Sequence, residues 1–219
     1  MSFRDIVVVG VTKMGPVACV GALDCETGAS YRLVRRDGHS PFEANTDLRP
    51  GAVLSVELLG PARQDPPHVE DVAIGRYRQT GLMEPLALAR FVLGTSQAPI
   101  WRGGYERLFN GTLKQHKGLT VALRRGGSLP GCSTGFWIPS HPLVRSGEDR
   151  FLLQQDKVPL FEVKSVALEP IQEHTLPAGS LLRVSLARWF KPAAKVPEAC
   201  WLQLSGMIHP GFGYRERSE

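Results

Sequence analysis

Three short stretches of this 219-residue chain carry side chains of the types and spacing that chemistry needs. His68, Glu70 and Asp71 combine a base with two carboxylates. In an extended segment His68 and Glu70 share a face while Asp71 points away. That pair could hold a metal ion or move a proton, but the stretch reads first as the polar outer edge of a strand. Gly131-Cys132-Ser133-Thr134-Gly135 satisfies the G-x-S-x-G pattern of serine hydrolases, which requires a strained strand-to-helix turn to present the hydroxyl. Here a Gly/Pro loop precedes the pattern and the extended FWIP follows it, so the stretch reads as a loop. DIVVVG at 5–10 looks like the first strand of a nucleotide-binding fold. Only Gly10 and Gly15 are present, however, and the chain continues as a strand rather than a helix, which argues against a dinucleotide site.

A different chemistry needs cations for a phosphate backbone and aromatic faces for bases, together in one groove. Between Trp101 and Arg125 lie six basic residues and one acid, Glu106, which equals the +5 net charge of the whole chain. Such a local excess reads either as a solvated face or as a patch for an anionic partner. The available groups are Arg32, Arg35 and Arg36 beside Tyr31; Arg102, Arg107, Lys114, Lys117, Arg124 and Arg125 with Trp101 and Tyr105; and Arg183, Arg188, Trp189 and Lys191. Trp137 and Trp201 read as core.

The elements that must position these groups are strands. With 42% hydrophobic and 21% charged residues, the composition is that of an ordinary globular protein. No apolar run approaches the ~20 residues that a membrane-spanning helix needs, and MSFRDIVVVGV lacks the features of a secretion leader. Cys19, Cys25, Cys132 and Cys200 have neither disulfide-scaffold density nor zinc-site spacing, which suits reduced thiols in the cytoplasm. The periodicity predicts strands at 5–11, 17–23, 30–35, 53–59 and 69–74, then a helix over 84–93 with Leu86, Ala89 and Leu93 on its apolar side. A second helix is expected within YERLFNGTLKQHKG, followed by strands at 119–123, 136–138, 150–153, 160–166, 181–187 and 200–204. In the last pair Leu182, Val184 and Leu186 alternate with Arg183, Ser185 and Ala187, which places the basic residues on the face opposite the apolar ones.

LLRVSLARWF followed by CWLQLSGM resembles the C-terminal signature of the dual OB domain family, and DIVVVGVTKMGPVACVGALDCETGASYRLV is similar to that family's opening. PPHVEDV at 66–72 is similar to its His-Pro-Glu-type segment, with Val69 in place of the proline. The resemblance runs from about Asp5 to Met207 and is weakest in the middle third. It implies a prokaryotic protein of two oligonucleotide/oligosaccharide-binding folds that binds nucleic acid. It also allows a protein-interaction or ligand-sensing subunit of a larger system, antiphage defence among them.

The combined expectation is a mainly β protein of two small OB-like Greek-key barrels joined by a short helical segment. Residues 1–78 would form the first barrel, 79–117 a helical and basic connector, 118–209 the second barrel and 210–219 a polar tail. Such a chain would be a non-catalytic module gripping single-stranded RNA or DNA through the thirteen residues Arg32, Arg35, Arg36, Arg102, Arg107, Lys114, Lys117, Arg124, Arg125, Arg183, Arg188, Trp189 and Lys191, with no cofactor, metal or membrane.

Overall fold

Strands make up 53% of the described residues and helices 9%. The computed structural model describes residues 3–62, 64–95, 97–116, 120–156, 158–191, 193–194 and 196–209. Lys117, Leu119 and the tail 210–219 lie outside the described residues.

The first half contains β1 (Phe3–Met14), β2 (Val17–Asp24), β3 (Ser30–Val34), a two-residue β4 (Phe42–Glu43), β5 (Ala52–Pro61) and β6 (Asp71–Leu82). The order β1-β5-β6-β3-β2, with β1 also paired to β2, closes a five-stranded barrel. Its neighbours run antiparallel except β3 and β6, which are parallel. The expected fifth strand at 69–74 is displaced. Residues 65–68 form a turn closed by an isolated Asp65–His68 bridge, and Glu70 meets β3 through its carbonyl, which accepts from the Arg32 N–H (2.8 Å). Strand β6 begins at Asp71 and extends past residue 78.

The apolar run in β1 is buried on both faces, as an uninterrupted run should be. Ile6 and Val8 point into the barrel with Val20, Leu33, Leu54 and Val56. Val7 and Val9 point outward into a second cluster, with Leu88, Ala89 and Val92 of helix α1 (Pro85–Gly94) and with Phe136, Ile138, Leu181 and Ile208 of the second half. Pro85 opens α1 at a first-turn position, where its missing N–H costs nothing. The buried stripe is Leu88, Ala89 and Val92, not the expected Leu86, Ala89 and Leu93; Leu86 is 44% exposed. The second expected helix is a 3₁₀ turn over Tyr105–Gly111 in which Leu108, Phe109 and Asn110 leave helical geometry. No helix among the described residues is long and apolar enough to cross a membrane.

The second half supplies β7 (Ile100–Gly103), β8 (Lys114–Gln115), β9 (Val121–Arg124), β10 (Thr134–Pro139), β11 (Leu143–Arg145), β12 (Arg150–Gln155), β13 (Val158–Ser165), β14 (Thr175–Leu176), β15 (Leu181–Leu186) and β16 (Ala199–His209). They form a ten-stranded sheet of order β14-β11-β12-β13-β16-β15-β10-β7, with the β8–β9 hairpin joined to the start of β16. Residues 79–117 thus contribute two strands to this sheet as well as a helix. The alternation in β15 and β16 lands as read: Leu182, Val184, Leu186, Cys200, Leu202 and Leu204 share one core with Trp137, Phe151 and Phe161. Beyond the shared apolar cluster, backbone bonds join the halves directly, from Lys13 N–H to the Val166 carbonyl (3.0 Å) and from Leu168 N–H to that of Val11 (2.8 Å).

Candidate anion-binding cleft

Because Leu182 and Val184 face the core, the residue between them must face the other way, and the other way is the barrel. Arg183 is not on the surface as its charge suggests; it is 4% exposed. Gly10 of β1 and Gly21 of β2 are register partners, and with no Cβ on either they leave a slot for its side chain. A Cβ on Gly10 would stand 2.8 Å from Arg183 Cδ, and one on Gly21 would stand 2.1 Å from Nη2. Burial lowers the guanidinium's pKa to about 10, with Arg32 adding to the effect and Glu70 opposing it, so the group keeps its charge at neutral pH.

The guanidinium borders a cavity of about 340 Å³ between the halves. The wall comes from both sides: Lys13, Cys19 and Arg32 from the barrel; Ser133, Ser185, Arg188, Trp189 and Gln203 from the second half.

The two carboxylates of the 68–71 segment hold the walls together. Glu70 accepts from the backbone N–H of Ser133 (2.6 Å) and of Thr134 (3.0 Å) through Oε1, and from the Ser133 hydroxyl (2.7 Å) through Oε2. Asp71, turned the opposite way by strand alternation, accepts from Arg32 (2.5 and 2.7 Å) and from Arg188 (2.6 Å). Its side chain has no exposure. The expectation of a polar outer edge at 68–71 is therefore overturned, because the second half covers that edge. His68 is fully buried, its Nε2 lies 4.0 Å from Cys200 Sγ, and its Nδ1 has no hydrogen-bond partner among the described residues. Burial, followed by Arg32 and Arg188, pushes its pKa down to about 4. His68 and Glu70 serve different neighbours and form no common site.

No family model, curated protein or solved structure matches this chain. What the cleft can do follows from its own residues.

Of the thirteen residues expected to meet nucleic acid, the cleft gathers Arg32, Arg183, Arg188 and Trp189. Trp189 is half-buried, donates from Nε1 to the Pro66 carbonyl (2.9 Å) and carries the Arg125 guanidinium 4.6 Å above its ring. Arg125 also pairs with Glu198, and Lys191 is exposed nearby in sequence. Lys114 and Arg124 are exposed on the β8–β9 hairpin. Arg102 and Arg107 belong to the opposite end of the sheet, at β7 and the following turn; four strand spacings separate β7 from β9, roughly 19 Å along the sheet. Arg35, held by Asp37 (3.6 Å), and Arg36 are exposed beyond the end of β3. Trp101 is buried and packs against Phe109 with the rings tilted at 45°, so it is core and not a base platform.

Sequence reasoning missed Ser133 and Thr134 as the anchor for Glu70, Asp71 as the bridge, and Lys13, Ser185 and Gln203 as cavity residues. One local signal for the slot existed: a glycine interrupting each of two otherwise apolar strands marks a close approach of another group. Among the described residues no group of three His, Cys, Asp or Glu side chains is placed to hold a metal ion.

Proposed function

We propose that the protein is a non-catalytic binding module of two OB-like halves that grips single-stranded nucleic acid where the β1–β2–β3 face meets the β15–β16 ribbon. The observation that carries this reading is the cleft, in which Arg183, Arg188 and Lys13 come together with the half-buried Trp189. Cations beside an aromatic face are what a single strand needs, and the β2–β3 face is the one by which OB folds take oligonucleotides. A strand leaving the cleft past Trp189 would meet Arg125 and then the exposed Lys114 and Arg124 on the neighbouring hairpin.

Fluorescence anisotropy with labelled single-stranded and duplex oligonucleotides across a salt series tests it. Each phosphate contact contributes a log–log slope of about −0.7. Replacing both Lys114 and Arg124 by Ala should flatten the slope by about 1.4 for every sequence alike. Trp189→Ala should instead cost about 1–3 kcal/mol with the slope unchanged, at a melting temperature showing that the fold survives. Wild-type protein that binds no oligonucleotide at low salt refutes the reading.

A partner-subunit reading draws on one observation, a groove of about 600 Å³ lined by His116, Val121, Phe190, Val196, Trp201 and Leu202. Phe190 is 57% exposed within it, an apolar surface that a partner protein would cover.

A further inference from the structure

A guanidinium carries five N–H donors and never gives up its charge at physiological pH, so burying one without an acceptor is costly. Arg183 comes close to that position, its remaining 4% exposure opening on the cavity. Among the described residues no side-chain hydrogen bond or ion pair is made to its guanidinium, and Glu70 reaches it only as a more distant charge. Glu70 Oε1 accepts from the Ser133 and Thr134 N–H groups and Oε2 from the Ser133 hydroxyl, and Asp71 is shared by Arg32 and Arg188. Three guanidinium groups thus meet two carboxylates whose oxygens are already engaged, and Arg32 lies close enough to Arg183 to repel it. What remains is surplus positive charge and unused donors, both directed at a cavity.

We propose that this cavity is a phosphate site in which Arg183 is the anchor. Its fork presents paired N–H donors of the kind that grip phosphoryl oxygens two at a time. The Ser185 hydroxyl accepts from Ser205 (2.6 Å), which leaves its own hydrogen for the ligand. Lys13 and Arg188 bring further charge at the wall, so the site suits a dianion, a phosphomonoester or inorganic phosphate, better than the single charge of an internal phosphodiester. The volume exceeds that of a phosphate ion and leaves room for the attached sugar of a nucleotide. The phosphoryl group could be the end of a nucleic-acid strand, in which case the inference rests on the function proposed above, or a free small molecule, in which case it stands without it.

Two variants separate charge from fold. Arg183→Met keeps the length and removes the charge; Gly21→Ala keeps the charge and fills the slot beneath the guanidinium. Thermal melts of the full chain are run in inorganic phosphate against sodium chloride at equal ionic strength. The wild type is expected to rise in melting temperature in a saturable way. Arg183→Met is expected to melt higher than wild type without phosphate, because an unpaired buried charge has gone, and to lose the phosphate response. Gly21→Ala is expected to weaken phosphate binding about tenfold or more, the cost of losing at least one charge-assisted bond. A wild type with no saturable response, an Arg183→Met variant that keeps the response, or one that melts lower without phosphate would each overturn the proposal. A 5′-phosphorylated oligonucleotide compared with its 5′-hydroxyl twin then identifies the source. Tenfold tighter binding of the phosphorylated strand assigns the site to strand ends. Phosphate binding with no oligonucleotide binding keeps the site, assigns it to a small molecule and refutes the nucleic-acid reading.

Discussion

Asp71→Asn is the perturbation that tests the architecture of the cleft most directly. The substitution keeps the side chain's size and removes the charge that Arg32 and Arg188 share. Asp71 has no side-chain exposure, Arg32 has 16% and Arg188 38%. Breaking one buried pair costs about 3–5 kcal/mol, chiefly from the charge left without a partner. Arg188 is exposed enough for water to compensate its share, so the two pairs do not add and about 3 kcal/mol is expected in all. For a chain of this size each kcal/mol moves the melting temperature by about 2–4 °C, which gives a fall of roughly 6–12 °C. Circular dichroism melts and urea titrations at pH 7.5 measure it. A single transition is expected, since the halves share the cluster of Val7, Val9, Leu88 and Phe136. Arg188→Ala in the Asp71→Asn background should then cost at least about 1 kcal/mol less than in the wild type, the signature of coupled residues. A fall below about 2 °C, or fully additive effects, would show that the Asp71 bridge does not hold the halves.

Acid should destabilise the protein through His68. Its folded pKa of about 4 lies below the ordinary 6.5, so the unfolded chain binds the proton first, and stability falls as pH drops from about 6.5 toward 4, by up to about 3 kcal/mol. Urea unfolding at pH 7.5, 5.5 and 4.5 reads this, and His68→Leu should remove most of that slope; an equal slope in the variant refutes the assignment. Gly28→Ala should cost at least about 2 kcal/mol, because Gly28 has φ +73° and a Cβ there would stand 1.6 Å from Thr95 Oγ1. Thr95→Ala in the same chain should return the steric part and leave the backbone strain; denaturant midpoints of the three variants decide.

Local pattern carried a good part of the fold. The continuous apolar run of β1 announced a strand covered on both sides, and Leu182, Val184 and Leu186 announced which way β15 faces. The strands β4 and β14, two residues each, are too short for any period to register. The cleft was scarcely legible. Arg188 meets Asp71 across 117 positions and Ser133 meets Glu70 across 63, and no window along the chain spans such distances. A side chain such as Arg183 signals by its charge that it belongs in water. Only the opposing Gly10 and Gly21 hinted that something had to fit between the strands.

The outward row of β1 has a consequence for how this chain can be cut or exchanged. Val7, Val9 and Leu23 are each wholly enclosed, yet their cover comes from α1, β10, β15 and β16. A fragment ending at Leu82 would display that row to solvent on β1 and β2, with nothing to dissuade a second copy from settling on it. The barrel is therefore poor currency for domain shuffling. A recombination event that carried it away alone would deliver a sticky piece, whereas a break in the exposed Arg124–Leu129 loop would leave that cover in place so long as both fragments stayed together.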